Sequence, residues 1–221
     1  MITLAFEFST DLRTVAVLRD GVVLSEAEHA RSRHTPVFEL VARAMEQAGV
    51  DRAAVGTLVV GLGPGSYTGV RIAISAVQGW CLARECRVVG VSSFAALARR
   101  VPAGETVWIA ADAQREEFAV APASDGRLTG PTTLVSLAEL RSWIASGRTV
   151  VGPDVVPRLG VGTECEWFPR ASDLGRIASE STDCIAPELL APVYLREAAF
   201  VKAGPVREVP ELVRNGAETG R

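Results

Sequence analysis

Residues 61–80 read GLGPGSYTGVRIAISAVQGW, where a glycine-rich turn joins an apolar run to a helical pattern. Glycine tolerates the positive φ values that a tight turn can require. Ser66 or Thr68 can cap the helix that follows, which leaves its first N–H groups and the positive end of its dipole open to an anion. The stretch therefore predicts a strand, a turn and a helix, with an anion-binding or nucleotide-binding edge as a second interpretation.

The residues of that edge would come from the turn and the first helical turn: Gly63, Gly65, Ser66, Thr68 and Arg71. Two known phosphate-loop patterns do not fit, because no lysine follows a GxxxxG and the glycines lack the last position of GxGxxG. A turn that only directs the helix is the simpler interpretation. Both interpretations stay open at this point.

The chain before and after this stretch alternates between strand and helix patterns. β-type runs at 2–8, 14–19 and 22–28 come first, and the last two are joined by Asp20-Gly21, a strong hairpin signal. A helical period follows at 36–48 and stops at Gly49. The order βββαβαβα is completed by the strand and helix around residue 61, a strand at 87–93 and a helix that ends at residue 99.

A second, weaker cycle occupies the rest of the chain. Its elements are strands at 106–113, 116–123, 132–136 and 149–154, a helix from Ser136 with Glu139 in a capping box, a loop at 153–170 and a short helix at 171–180. Two βββαβα cycles predict an α/β protein with the actin-like ATPase (ASKHA, RNase H-like) fold. We expect one subdomain at 1–101, a second at 102–204, and a flexible tail at 205–221.

The composition limits the possible functions. A net charge of -3 gives no basic field, so strong nucleic-acid binding by this chain alone is not expected. Lys202 is the only lysine, which argues against a Schiff base or a phosphate-loop lysine. The two histidines, His29 and His34, do not form a metal-binding pattern. With no signal peptide, no apolar stretch of membrane-spanning length and no CxxC pair, the expectation is a cytoplasmic protein with reduced thiols.

Residues 61–80 resemble the signature segment of the TsaB (YeaZ) family. Four further segments resemble that family in the same order: LAFEFST at 4–10, RSRHTPVFELVARAMEQAGV at 31–50, ADAQREEF at 111–118 and APVYLREA at 191–198. The resemblance therefore covers most of the chain, and it implies the same actin-like fold that the strand and helix order predicts.

The resemblance also implies a function. Members of this family are inactive relatives of TsaD, the enzyme that transfers threonylcarbamoyl to adenosine 37 of ANN-decoding tRNA. They act as non-catalytic scaffolds: they form homodimers alone and use the same surface to bind TsaD, with TsaE assisting. Contact with tRNA would be indirect, there would be no membrane, and the chain would have no cofactor of its own. The resemblance leaves open whether ATP or ADP binds at the interface with the partner proteins.

The family's shared surface is formed by its first two helices, which correspond here to residues 36–48 and 67–84. We therefore predict partner-binding residues on both helices: His34, Val37, Leu40, Val41, Ala44, Met45, Tyr67, Arg71, Ala76, Gly79 and Ala83. On the second helix the last three are small, which would allow another helix to pack closely.

Departures from the family and superfamily patterns leave two alternatives to consider. Glu7-Phe8-Ser9 stands where the superfamily carries Asp-Thr-Ser, and Phe8 cannot donate a hydrogen bond to a phosphate. This weakens the first alternative, an autonomous ATPase or kinase. The second alternative, a glycoprotease-like peptidase, lacks metal ligands. Gln114 and Glu116 also differ from the arginine and glycine usual at those positions in the family.

Overall fold

The computed structural model describes residues 1–30 and 35–196. Its first sheet has the order β3-β2-β1-β4-β5. The strands are β1 (Ile2–Glu7), β2 (Leu12–Arg19), β3 (Val22–Ala30), β4 (Val55–Gly61) and β5 (Arg87–Val91). The first three are antiparallel neighbours, whereas β4 pairs in parallel with both β1 and β5. This mixed sheet is the one expected for the actin-like fold.

Three helices belong to the same part of the chain: α1 (Val37–Ala48), α2 (Tyr67–Ala83) and α3 (Ser93–Ala98). The first two cover one face of the sheet, where their apolar residues form a single core with Leu4, Phe6 and Leu58. The predicted turns are confirmed. Asp20 and Gly21 have φ values of 49° and 81°, and Gly49 ends α1 in the left-handed region.

The second sheet is smaller and repeats the pattern. It contains β6 (Thr106–Asp112), β7 (Glu117–Ser124), β8 (Arg127–Leu128), β9 (Thr133–Ser136) and β10 (Val150–Val151). Its order is β10-β6-β7-β8, and β9 also pairs with β7. The helix α4 (Leu137–Ala145) begins as predicted, with the Ser136 hydroxyl accepting a hydrogen bond from the Glu139 N–H at 3.1 Å.

The segment 153–170 was predicted to be a loop, and this is wrong in part. It contains the short helix α5 (Val155–Leu159), which buries Val155 and ends at Gly160 in the left-handed region. Pro157 is tolerated there because it lies in the first helical turn, where N–H groups have no partner within the helix.

The end of the described chain returns to the first sheet. The helix α6 (Ala171–Ser179) packs Leu174 and Ala178 against the face opposite α1 and α2. The predicted boundaries of the two subdomains remain a prediction, and the predicted tail at 205–221 lies outside the described residues. None of the helices within the described ranges is both long and apolar enough to cross a membrane.

Candidate functional site

A buried carboxylate fixes the position of the glycine-rich turn. Glu7 ends β1 with no exposed surface; its Oε1 accepts a hydrogen bond from the Ser9 N–H at 2.7 Å, and its Oε2 accepts one from the Ser93 hydroxyl at 2.7 Å. The Ser93 hydroxyl in turn accepts from the Gly63 N–H at 3.1 Å. Burial raises the pKa of Glu7. These bonds connect β1, the turn and α3.

The turn leads directly into α2. The Ser66 N–H donates to the Ser9 carbonyl at 2.6 Å, and the Ser66 hydroxyl accepts from the Gly69 N–H at 3.2 Å. Ser66 is therefore the helix cap, one of the two caps that the sequence allows. A Cβ on Gly69 would lie 1.9 Å from the Phe8 carbonyl oxygen, so the backbones of α2 and the β1–β2 connection are in close contact at this point.

Only some of the residues predicted to form an anion-binding edge lie together in the structure. Gly65, Ser66 and Thr68 line a cleft of about 600 Å³ between the two sheets. Gly63 is buried, and both its N–H and its carbonyl bond to Ser93. The prediction that Gly63 faces an anion is therefore wrong, because its polar groups are already paired within the protein.

Arg71 also lies apart from that edge. Its Nη2 donates to the Tyr194 hydroxyl at 2.8 Å, and its guanidinium lies 4.0 Å from the centre of the Tyr67 ring. Arg71 lines a hollow beside Phe38, and it is not among the residues that line the cleft. Arg71 is therefore held against two tyrosines at the rim of the cleft, and its place in an anion site stays a prediction.

Most of the residues predicted on α1 face inward. Four of them are at most 5% exposed and belong to the core: Leu40, Val41, Ala44 and Met45. As partner contacts these four are wrong, because the apolar stripe that identifies the helix is the stripe that packs on the sheet. Val37 is half-buried, and His34 lies outside the described residues.

The large apolar side chain that α1 exposes was not among the predicted residues. Phe38 is 82% exposed, although phenylalanine is normally buried. It stands one position after Val37 and off the buried stripe of α1. An aromatic residue on the polar side of an amphipathic helix is a signal that could have identified it.

The residues predicted on α2 lie on its outer side, and their role in binding a partner stays a prediction. Tyr67, Arg71, Gly79 and Ala83 are exposed, and Ala76 is half-buried. We call the groove between Phe38 and this side the outer groove. It has a volume of about 370 Å³ and is lined by Phe38, Arg52, Ser75, Ala76, Gly79, Trp80, Ala83 and Arg84.

The cleft between the sheets is acidic, and its residues do not fit the nucleotide that the actin-like fold implies. Asp11, Asp112 and Asp154 line it, together with Arg196 as the one basic lining residue in the described chain. Phe8, at the position of the superfamily's hydroxyl, is fully buried in the core. A triphosphate would meet these carboxylates without a free cation to balance its charge.

Metal ligands do not converge in this cleft or in the rest of the described chain. No three His, Cys, Asp or Glu side chains among residues 1–30 and 35–196 form a group that could hold a metal ion. His29 lies on the edge strand β3 and does not line the cleft.

Comparisons with known proteins agree on one group of relatives. The family model described as "TsaD: tRNA N6-adenosine threonylcarbamoyltransferase" matches residues 9–140. The tRNA threonylcarbamoyladenosine biosynthesis protein TsaB of Escherichia coli (strain K12) is 29% identical over an alignment 233 positions long, which covers 93% of this chain and 99% of that protein. The protein of the same name from Haemophilus influenzae is 30% identical over 118 residues, covering 52% of this chain and 50% of its own. The solved structure of YeaZ from Pseudomonas aeruginosa has a TM-score of 0.72 at 29% identity, covering 88% of this chain and 99% of that one.

Proposed function

Because this chain belongs to the TsaB (YeaZ) family, within the wider family whose model describes TsaD, we propose that it is a non-catalytic scaffold that binds TsaD. Membership of the family gives the chain a role in the biosynthesis of threonylcarbamoyladenosine in tRNA. In our proposal, its binding supports the transfer of threonylcarbamoyl by TsaD to adenosine 37 of ANN-decoding tRNA.

The observation that carries the proposal is the outer groove with Phe38 at its edge. An 82% exposed phenylalanine leaves a large apolar area in water, and covering such area contributes about 25 cal/mol per Å². Four of the residues that line the groove are small, namely Ser75, Ala76, Gly79 and Ala83, and a Cβ on Gly79 would meet nothing within 4 Å. An exposed aromatic residue beside a groove with several small residues fits a helix of another protein.

The groups around the cleft support a non-catalytic role. The Ser66 hydroxyl, a candidate nucleophile, accepts a hydrogen bond as the cap of α2, and no histidine lines the cleft within the described chain. A serine nucleophile needs a base within hydrogen-bond reach. The residues at this position therefore favour a structural use of the turn.

Further parts of the proposal concern the assembly. We propose that two copies of this chain pair through the outer groove when TsaD is absent, and that TsaD displaces one of them. TsaE would join through TsaD, tRNA would be contacted only indirectly, and ATP or ADP would bind at the interface with the partners, not in the acidic cleft. The assembly would act in the cytoplasm.

The experiment is a calorimetric titration of this protein with TsaD from the same organism. Phe38→Asp places a charge at the edge of the outer groove, within the proposed interface, and we expect it to weaken binding by at least about thirtyfold, the effect of losing a contact worth about 2 kcal/mol. Val22→Asp is the matched control, because Val22 is also exposed, at 65%, and lies at the start of β3.

Two results would contradict the proposal. The first is that the Phe38→Asp and Val22→Asp variants both bind TsaD with the affinity of the wild type, which would place the interface elsewhere. The other is the absence of any binding by the wild-type protein, which would remove the scaffold role. Circular dichroism of both variants establishes that they are folded before the titration.

A further inference from the structure

The outer groove combines aromatic surface with positive charge. Phe38 and Trp80 line it together with the small residues of α2. Arg52 and Arg84 line it as well, and neither forms an ion pair within 4.0 Å among residues 1–30 and 35–196. Two positive charges beside two aromatic side chains fit an occupant that is both apolar and acidic.

The chain itself holds one of these charges at the groove. The Nη2 of Arg84 donates to the Ala53 carbonyl at 2.8 Å, so its guanidinium lies beside the short 3-10 helix Arg52–Ala54. A carbonyl oxygen accepts a hydrogen bond but carries no charge that would neutralise a guanidinium. The charge of Arg84 is therefore available to a carboxylate at the groove.

A segment after residue 196 carries acidic and apolar side chains. Residues 204–216 read GPVREVPELVRNG. Its central part, EVPELV at 208–213, has two negative charges and no positive one, while Arg207 and Arg214 flank it. The segment is therefore apolar and acidic at its centre, which are the two properties that the outer groove fits.

The spacing within this segment has a period of three. One side chain in three is apolar, at Val206, Val209 and Leu212, and the two glutamates repeat with the same spacing, at Glu208 and Glu211. Prolines at 205 and 210 favour the polyproline II backbone, which has three residues per turn. With this period the apolar residues share one side and the glutamates another. Aromatic-lined grooves bind segments of this kind.

The described chain ends close to the outer groove. The Tyr194 hydroxyl accepts a hydrogen bond from Arg71 at 2.8 Å, and Arg71 and Phe38 line one hollow. The ten residues from 196 to 206 can span about 33 Å when extended. The 17 residues of α2 are only about 26 Å long. The segment can therefore reach the groove of its own molecule.

The short connection also favours the same molecule over a second copy. A flexible linker of this length gives the segment an effective concentration in the millimolar range at the groove. A second copy reaches that concentration only when the protein itself is millimolar. In a dilute solution, the occupant of the groove is therefore expected to be the segment of the same chain.

We propose that residues 204–216 bind in the outer groove of the same molecule. The apolar side of the segment covers Phe38 and Trp80, and its two glutamates face Arg52 and Arg84. A protein that uses the groove must first displace the segment. That TsaD and a second copy are such proteins rests on the proposed function, whereas the binding of the segment does not.

The test is NMR of the full ¹⁵N-labelled chain without any partner, so its result does not depend on whether TsaD binds. Leu212→Asp places a charge on the apolar side of the segment. We expect it to shift the amide signals of Ala76 and Gly79, which line the groove, and to leave those of β6 and β7 unchanged. The unchanged signals also show that the variant is folded.

A second variant and two controls make the result specific. Glu211→Arg should shift the same two amides in the same direction as Leu212→Asp, because both variants release the segment. Ala217→Asp and Glu218→Arg make matched changes of charge outside residues 204–216. Both controls should leave the Ala76 and Gly79 amides at their wild-type positions.

A peptide tests the contact from the other side. A synthetic peptide of residues 204–216 with blocked ends is titrated into the Leu212→Asp protein. We expect saturable shifts that return the Ala76 and Gly79 amides towards their wild-type positions. The same peptide with the Leu212→Asp change should have no such effect.

Three outcomes would overturn the proposal. The first is that the Ala76 and Gly79 amides stay at their wild-type positions in both segment variants. The second is that the two controls shift these amides as far as the segment variants do, which would be a general effect of charge. The third is that the difference between wild type and Leu212→Asp disappears on dilution, which would assign the groove to the segment of a second copy.

Discussion

The two sides of α2 use the same residue type for opposite purposes. On the inner side, Gly69 is buried, and a Cβ there would lie 1.9 Å from the Phe8 carbonyl oxygen. On the outer side, Gly79 is exposed, and a Cβ would meet nothing within 4 Å. Gly69 permits close packing within the chain, whereas Gly79 lines the outer groove, where the described chain has no atom close to a Cβ at that position. A glycine in a helix therefore does not by itself show that the chain packs closely at that position.

The largest effect is expected on the inner side. Gly69→Ala would force the backbone of α2 away from Phe8, because the contact is with a carbonyl oxygen that has no rotamer to change. We expect the free energy of unfolding to fall by about 3 kcal/mol. Urea unfolding measures this, and a variant as stable as the wild type would show that the two backbones are not in contact.

The second effect concerns Glu7, which fixes the turn that precedes the inner side of α2. Its pKa in the folded state is raised by burial, so folding favours the protonated acid. As far as Glu7 determines it, the free energy of unfolding of the wild-type protein is therefore greatest below pH 4.5, the pKa of Glu7 in the unfolded chain. This stability is lost as the pH rises through the folded pKa. Glu7→Gln removes the charge and should be more stable than the wild type at pH 7.

The measurement for Glu7→Gln is urea unfolding of both proteins between pH 4.5 and pH 8. The difference in free energy of unfolding between Glu7→Gln and the wild type should be small at pH 4.5 and should increase with pH. Above the folded pKa of Glu7 it should level off, at about 1.4 kcal/mol for each pH unit by which folding raises that pKa. Ser93→Ala is a useful companion variant, since it removes the hydroxyl that donates to Glu7 Oε2. A difference between Glu7→Gln and wild type that does not change with pH would contradict the burial of an ionisable group here.

The smallest effect is expected on the outer side. Gly79→Ala should raise the free energy of unfolding by about 0.5–1 kcal/mol, because alanine favours a helix and nothing in the chain opposes its Cβ. The same variant should bind TsaD more weakly if another helix packs on this surface. A lower free energy of unfolding for Gly79→Ala than for the wild type would contradict this difference between the two glycines, because it would show that both are packed within the chain.

Short-range patterns predicted most of the fold. The hairpin at Asp20-Gly21, the stop of α1 at Gly49 and the cap at Ser136 depend on a few neighbouring residues, and each is present in the structure. The order of strands and helices in the first sheet also follows from local periodicity. Long-range packing was not predictable in this way, as the return of α6 to the first sheet illustrates.

The candidate site was predicted less well, for a physical reason. Periodicity identifies the apolar stripe of a helix, but that stripe is usually its buried side, so Leu40 and Met45 were assigned to the wrong surface. Phe38 was missed because it breaks the stripe. Gly63 was assigned to an anion edge because a sequence does not show that Ser93, 30 positions away, pairs with its N–H.

The most direct test of the central claim, that the outer side of α1 and α2 binds TsaD, is hydrogen–deuterium exchange of this protein with and without TsaD. We expect slower exchange in residues 37–48 and 67–83 and no change in β6 and β7. Slower exchange confined to the second sheet, or no change anywhere at saturating TsaD, would contradict the claim.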